Sequence, residues 1–327
     1  MSNALINRRS ALSIGGLGLL LAGCSSASPA ATTSAATTST WSFTDDRGKR
    51  AKIAGLPRHI VAYTGSAAAL HDFGITSQVT GVFGPDDLAG KASVHKLPSL
   101  GTAYGDFNVE KYASLSPQLL VTNIYEDNEL WYVPSNSAGQ IAQLAPEVGI
   151  KTADVSLPEP IQRYASLAAA LGADLSSDTV QAARLAFTGA AADLRSAAKS
   201  RPGIRVMAAS ASTDLLYVSA PAAYADLSYY RKLGVDMIVP SHVTGGFFAD
   251  LSWENAGEYP ADVILLDSRT AALQPSQLKS NPAWTALPAV KAGQIVPWLS
   301  EPRFSYQGCT TPMGALAKAL RAARKVA

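Results

Sequence analysis

The chain has 327 residues, 47% of them hydrophobic, which is room for two lobes of ordinary domain size. Its 27 Lys and Arg stand against 25 Asp and Glu with no basic stripe, which excludes a nucleic-acid or strongly anionic partner. Two cysteines, Cys24 and Cys309, are too few for a disulfide-built scaffold.

Residues 1–24 read as an export signal. Arg8 and Arg9 form its charged start, Ala11–Ala22 is a short apolar stretch, and Leu21-Ala22-Gly23-Cys24 closes it. The apolar run is too short to persist as a membrane-spanning helix. Leu-Ala-Gly-Cys resembles the bacterial lipobox, in which cleavage leaves Cys24 as a lipid-bearing N-terminus. The paired arginines are compatible with twin-arginine or general secretory export. Residues 25–40 hold no charge and no large apolar side chain, so a flexible tether is expected there. A membrane-attached extracytoplasmic lipoprotein follows from these three parts. Without Arg8 and Arg9 the mature side chains balance at zero net charge. Cys309 is left without a disulfide partner and is expected to be a small packed residue.

The body then divides into an N-terminal α/β lobe over residues 41–175, a helix over 176–200, and a C-terminal α/β lobe over 201–327. In the helix, Val180, Phe187 and Leu194 recur every seven residues with Ala183, Ala190 and Ala197 between them. It should be about 36 Å long at 1.5 Å per residue. Ser176 or Ser177 can cap its start, and Arg201-Pro202-Gly203 stops it. The chain on either side reads alike. Aligned on Glu110 and Glu254, the runs Leu119-Leu120-Val121 and Val263-Ile264-Leu265 both begin nine residues later. Upstream, Ile60–Tyr63 is matched by Leu215–Ser219. Each half is expected to run strand, helix, strand, helix, with strands buried on both faces. The predicted architecture is two similar α/β lobes joined by one rigid helix, with a ligand cleft between the lobes and little hinge bending.

No Walker loop, dinucleotide fingerprint or nucleophile elbow is present, and carboxylates form no evident acid/base pair. His59, His71, His95 and His242 are scattered, so neither a metal site nor an enzyme is expected. Aromatic residues gather where strands end: Tyr104, Tyr125, Trp131 and Tyr132 in the first half, and Phe247, Phe248, Trp298, Phe304 and Tyr306 in the second, with Arg303 among the last. Loops at strand ends carry ligands in α/β lobes, and aromatic rings supply broad contact with a polar tip. These ten residues are the expected ligand wall.

The body resembles the iron-siderophore solute-binding lipoproteins that feed ABC importers. The segments FTDDRGKRAKIAGLPRHIVAY, FNVEKYASLSPQLLV and NPAWTALPAVKAGQIVPW carry the resemblance. It implies a ferric-siderophore ligand, a membrane permease as partner, and Glu110 and Glu254 as docking residues, one per lobe. The pattern is nearest to the ferric-hydroxamate binders. They carry a basic residue where this chain has Tyr104, so Arg303 is expected to supply the positive donor. Iron enters only inside its chelator, so no cofactor and no protein metal ligands are expected. The protein is expected to act as a monomer. A haem or corrinoid binder of the same class is the alternative, and a surface enzyme or adhesin on this scaffold is a further one.

Overall fold

The computed structural model describes residues 40–88 and 92–327. The export signal, Cys24 and residues 25–39 of the expected tether lie outside the described residues. Thr40, read as the last tether residue, already pairs with Ala54 in the hairpin of β1 (Thr40–Thr44) and β2 (Arg50–Ala54).

The first sheet holds β3 (Ile60–Tyr63), β4 (Val79–Phe83), β5 (Leu119–Ile124) and β6 (Glu147–Lys151). Their order is β4-β3-β5-β6, all parallel. Every residue of β3 and β5 is buried, as unbroken apolar runs are when both faces of a sheet are covered. The second sheet holds β7 (Arg205–Ala211), β8 (Leu215–Ser219), β9 (Asp236–Met237), β10 (Phe248–Ser252), β11 (Val263–Asp267) and β12 (Ile295–Trp298). Its order is β10-β8-β7-β11-β12, with β9 also on β7. β7, β9, β11 and β12 pair in parallel, whereas β8 is antiparallel to both its neighbours. Two α/β lobes joined by one long helix is the architecture.

The repeat is real downstream and misread upstream. Glu110 opens the helix Val109–Ser114 and Glu254 the single turn Trp253–Asn255, ahead of β5 and β11 respectively. β3, however, pairs in parallel with β5, the strand that follows Glu110, and the earlier second-lobe strand that pairs in parallel with β11 is β7, whereas β8 is antiparallel to its neighbours and does not pair with β11. The match of Ile60–Tyr63 to Leu215–Ser219 therefore chose the wrong strand. β7 is rich in Ala and Ser and reads weakly. Only Ser212–Asp214 separate it from β8, and so short a link makes a hairpin, not a parallel crossover.

The joining helix is Asp178–Ser200, and Val180, Phe187 and Leu194 are all buried. Ser177 takes the N-cap place without a side-chain bond, and Ser176 turns instead onto Asp174 (Oγ to Oδ1, 2.6 Å). The terminal helix Tyr306–Ala322 lies along it, burying Cys309, Met313, Leu316 and Leu320 and pairing Arg321 with Asp193 at 2.5 Å. Burial pushes the Cys309 thiol up, so it stays protonated and packs as a small apolar group. One core joins Leu119, Val121, Phe187, Leu194, Val206 and Val263, and each sheet's other face has a core of its own. The lobes also meet through backbone. Asp154 N donates to Ala223 O (3.1 Å) and Leu157 N to Ala225 O (3.0 Å), so hinge motion would break more than the helix packing.

Candidate functional site

Several strands end at the same place. Tyr63 is the last residue of β3 and Tyr125 follows β5 by one, while Asp267 is the last of β11. Arg269 stands two beyond β11, and Glu301 three beyond β12. The carboxyl ends of strands are where α/β lobes bind ligands. Here they open on a cavity of about 160 Å³. Tyr125 and Trp131 line it from the first lobe, and Tyr224, Phe247, Phe248 and Arg269 from the second.

Glu301, 6% exposed, wires the two sides together. Its Oε2 accepts from the Tyr63 hydroxyl and from Trp131 Nε1 (3.0 Å), and its Oε1 accepts from Arg269 Nη1. Arg269 is also bonded to the fully buried Asp267, through Nε (3.0 Å) and Nη2 (2.7 Å). Two buried carboxylates thus share one guanidinium, leaving a net negative charge. Burial works against the charge on Arg269, but its bonds to Asp267 and the attraction of Glu301 outweigh that and hold its pKa up. The phenols are affected in the same sense. Burial first and the Glu301 charge second push Tyr63 and Tyr125 upward, and Tyr132 is pushed up to about 12 by the same two causes. Burial also pushes Tyr224 up to about 12. All four hydroxyls are therefore protonated at neutral pH and act as donors.

Trp131 is pinned to the end of β5. Its N–H donates to Asn123 O (2.9 Å) and its carbonyl accepts from Thr122 Oγ1 (2.8 Å). Tyr125 meets the indole edge to face at 4.9 Å, and the exposed Tyr104 packs on Trp131 and Tyr132 at 5.4 and 5.3 Å. Tyr132 sits at φ +61°, a left-handed conformation that is rare for a bulky residue and frequent at functional sites. Gly84, at φ +98°, is needed beside Tyr63, because a Cβ there would lie 2.5 Å from Tyr63 Cε2.

Four of the ten expected wall residues thus line the cavity: Tyr125, Trp131, Phe247 and Phe248. Tyr104 and Tyr132 extend that wall as Trp131's neighbours. The other four are placed elsewhere. Trp298 is buried, donates from Nε1 to Asp226 Oδ2 (2.7 Å), and backs Tyr224 rather than facing the cavity. Arg303 is drawn to Asp72 at the end of the first lobe's helix Thr64–Asp72 (3.4 Å), where Ser305 Oγ also donates (2.6 Å). Phe304 is in the core, and Tyr306 packs on Phe73 and Phe187 under the joining helix. The expectation that Arg303 supplies the positive donor is therefore corrected: Arg269 stands at the cavity. A signal for it existed. Tyr125 lies fifteen residues after Glu110, and Arg269 fifteen after Glu254. Glu301 had no such signal, since nothing in Ser-Glu-Pro marks a buried carboxylate. Glu110 and Glu254 are both exposed, and Trp253 Nε1 bonds Thr213 O in the β7–β8 turn (3.0 Å), which sets Glu254 at the carboxyl edge of its sheet. Among the described residues no group of three or more His, Cys, Asp or Glu could hold a metal ion, and no helix is long and apolar enough to cross a membrane.

Residues 60–302, spanning both sheets and Glu301, match the model of the periplasmic binding proteins. The chain belongs to that family. This periplasmic binding protein is 47% identical to DesE, a ferric-siderophore receptor protein from Streptomyces coelicolor, with a TM-score of 0.84 over 88% of this chain and 100% of that one. It is 22% identical to the Fe(3+)-citrate-binding protein YfmC of Bacillus subtilis, over 77% of this chain and 76% of that protein. The fold alone is shared with the periplasmic haem-binding protein RhuT of Roseiflexus sp. RS-1, at 17% identity and a TM-score of 0.60 over 82% and 99% of the two chains. These are binding proteins, and a solute-binding role agrees with a cleft that offers rings and donors.

Proposed function

We propose that this protein captures a ferric siderophore of the hydroxamate type in the cleft between its lobes and delivers it to a membrane permease. It does so extracytoplasmically as a monomer, held to the membrane by lipid on Cys24, with Glu110 and Glu254 meeting the permease. The likeness to a ferric-siderophore receptor at 47% identity supports the ligand class.

The observation that carries the chelate type is charge. Arg269 is outnumbered by Asp267 and Glu301, and exposed Glu126 also lines the cavity. Three hydroxamates bring three negative charges to Fe³⁺ and give a neutral core, whereas three catecholates leave a trianion. A net negative pocket repels the trianion and accepts a neutral or cationic chelate. The rings of Tyr125, Trp131 and Phe248 cover hydrocarbon arms, and Arg269 with the tyrosine hydroxyls donates to the oxygens around iron. At about 160 Å³ the cavity is smaller than the roughly 300–1,000 Å³ of drug-sized sites, so part of the chelate lies in the mouth against Tyr104.

The test is calorimetric titration of the purified protein with a ferric tris-hydroxamate, a ferric tris-catecholate and haem. Tight binding of the hydroxamate and weak binding of the other two is expected. Preference for the catecholate or for haem would overturn the reading.

A further inference from the structure

We propose that Glu301 is the specificity-determining residue of the cleft: tied to both lobes, it supplies the unbalanced negative charge that turns anionic ferric chelates away. The inference rests on the ferric-siderophore reading above and deepens it.

Arg269 and Asp267 alone form a neutral pair. Asp267 is fully buried at the end of β11 and bonds the guanidinium through two nitrogens, so this pair is complete within the second lobe. Glu301 is a second carboxylate brought to the same guanidinium from the loop after β12. A buried carboxylate is costly unless its oxygens are bonded. The first lobe supplies the bonds, from the Tyr63 hydroxyl and Trp131 Nε1. Both are neutral donors, which solvate the charge without cancelling it. The arrangement holds an excess anion at the cavity wall where a plain Arg–Asp pair would leave none.

Its consequences separate into two. Glu301 positions Trp131 and Arg269, so its loss weakens every ligand that touches them. Its charge also discriminates, favouring a cationic chelate over an anionic one. Only the second effect changes the ratio of affinities between ligands of different charge, so the ratio reads the role that packing alone would not move.

The experiment uses wild type, Glu301→Gln and Glu301→Asp, each titrated with three probes. The probes are a linear ferric tris-hydroxamate bearing one ammonium group, a neutral cyclic ferric tris-hydroxamate, and a trianionic ferric tris-catecholate. Gln keeps the shape and an acceptor for Tyr63 and Trp131 but removes the charge. For wild type, the cationic chelate is expected to bind at least as tightly as the neutral one, and the trianion weakly. In Glu301→Gln the cationic-to-anionic affinity ratio should fall by roughly tenfold or more, as expected for loss of one charge in a partly buried site. Glu301→Asp should keep the wild-type order. Equal weakening of all three chelates in Glu301→Gln, with the ratio unchanged, would overturn the proposal while leaving the siderophore reading intact. Wild type binding none of the three would overturn both. If the Gln variant does not fold, wild type decides alone: a neutral hydroxamate bound more tightly than its cationic counterpart contradicts an excess negative charge at the site.

Discussion

Tyr125 and Arg269 occupy corresponding places in the two lobes. Each stands fifteen residues after a surface glutamate and just beyond a central buried strand, and each faces the same cavity. The first lobe fills that place with a protonated phenol among rings, the second with a cation held by two acids. The scaffold is repeated, but the binding chemistry is divided. Both sides bring rings to the cavity, but its buried charges, Arg269, Asp267 and Glu301, all come from the second. The supports behind the walls differ in the same way. Behind Tyr125 lies a neutral network, with Tyr164 Oη 2.5 Å from both Ser66 Oγ and Asn123 Oδ1. Behind Tyr224 lies Trp298, bonded to a buried ionisable group, Asp226.

The largest expected effect is from the charged side. Arg269→Ala should weaken binding of a ferric hydroxamate roughly 10- to 150-fold, the equivalent of one charge-assisted hydrogen bond of about 1.5–3 kcal/mol. It also strands Asp267 and Glu301 as buried carboxylates, so chemical denaturation should show a stability loss of about 3–5 kcal/mol. Unchanged affinity in the folded variant would remove the second lobe's charge from the account.

Trp131→Ala tests the ring side. Removing a half-buried indole that also donates to Glu301 should weaken binding by roughly 30-fold, about 2 kcal/mol on the scale of interface anchors. Calorimetry of Trp131→Phe beside it should recover most of the loss, since the ring contact returns and only the N–H is missing. Equal losses in both variants would move the effect from the ring to the hydrogen bond.

The last test concerns the supports, where the change is in stability rather than binding, and its sign follows from linkage. Burial raises the Asp226 pKa to about 6, against bonds from Trp298 and Leu227 that lower it. The folded-state value lies above the unfolded one, so this group's contribution is fully present below about pH 4 and is lost as pH rises through 6. The span corresponds to about 3 kcal/mol at 1.36 kcal/mol per unit. Asp226→Asn should flatten the stability profile between pH 4 and 6. Ser66→Ala, in the neutral network of the first lobe, should leave the slope unchanged. Similar slopes in wild type and Asp226→Asn would contradict the contrast between the supports.

Much of this was legible in the sequence, for reasons that differ by element. The unbroken runs at β3, β5 and β11 are buried strands because only covered sheets tolerate them, and the heptad of Val180, Phe187 and Leu194 marked a helix packed along its length. Tyr125 and Trp131 were visible because the strand before them was. Arg269 was legible only by carrying the repeat fifteen residues past Glu254, in a segment without aromatic company. Glu301 was not legible. Its first-lobe partners lie 238 and 170 residues away, and only the folded geometry unites them. Arg303 drew attention because rings surround it in sequence, yet the turn into the terminal helix directs it to Asp72. β8 was misassigned because a short apolar run carries no record of strand direction.

The most direct test of the central claim is a crystal structure of the protein with a bound ferric tris-hydroxamate. The account predicts iron in the cleft, all six of its ligands supplied by the chelator, Arg269 bonded to a chelating oxygen, and Trp131 against a hydrocarbon arm. A chelate bound away from Arg269 and Trp131, or a tyrosine oxygen coordinating the iron, would contradict it.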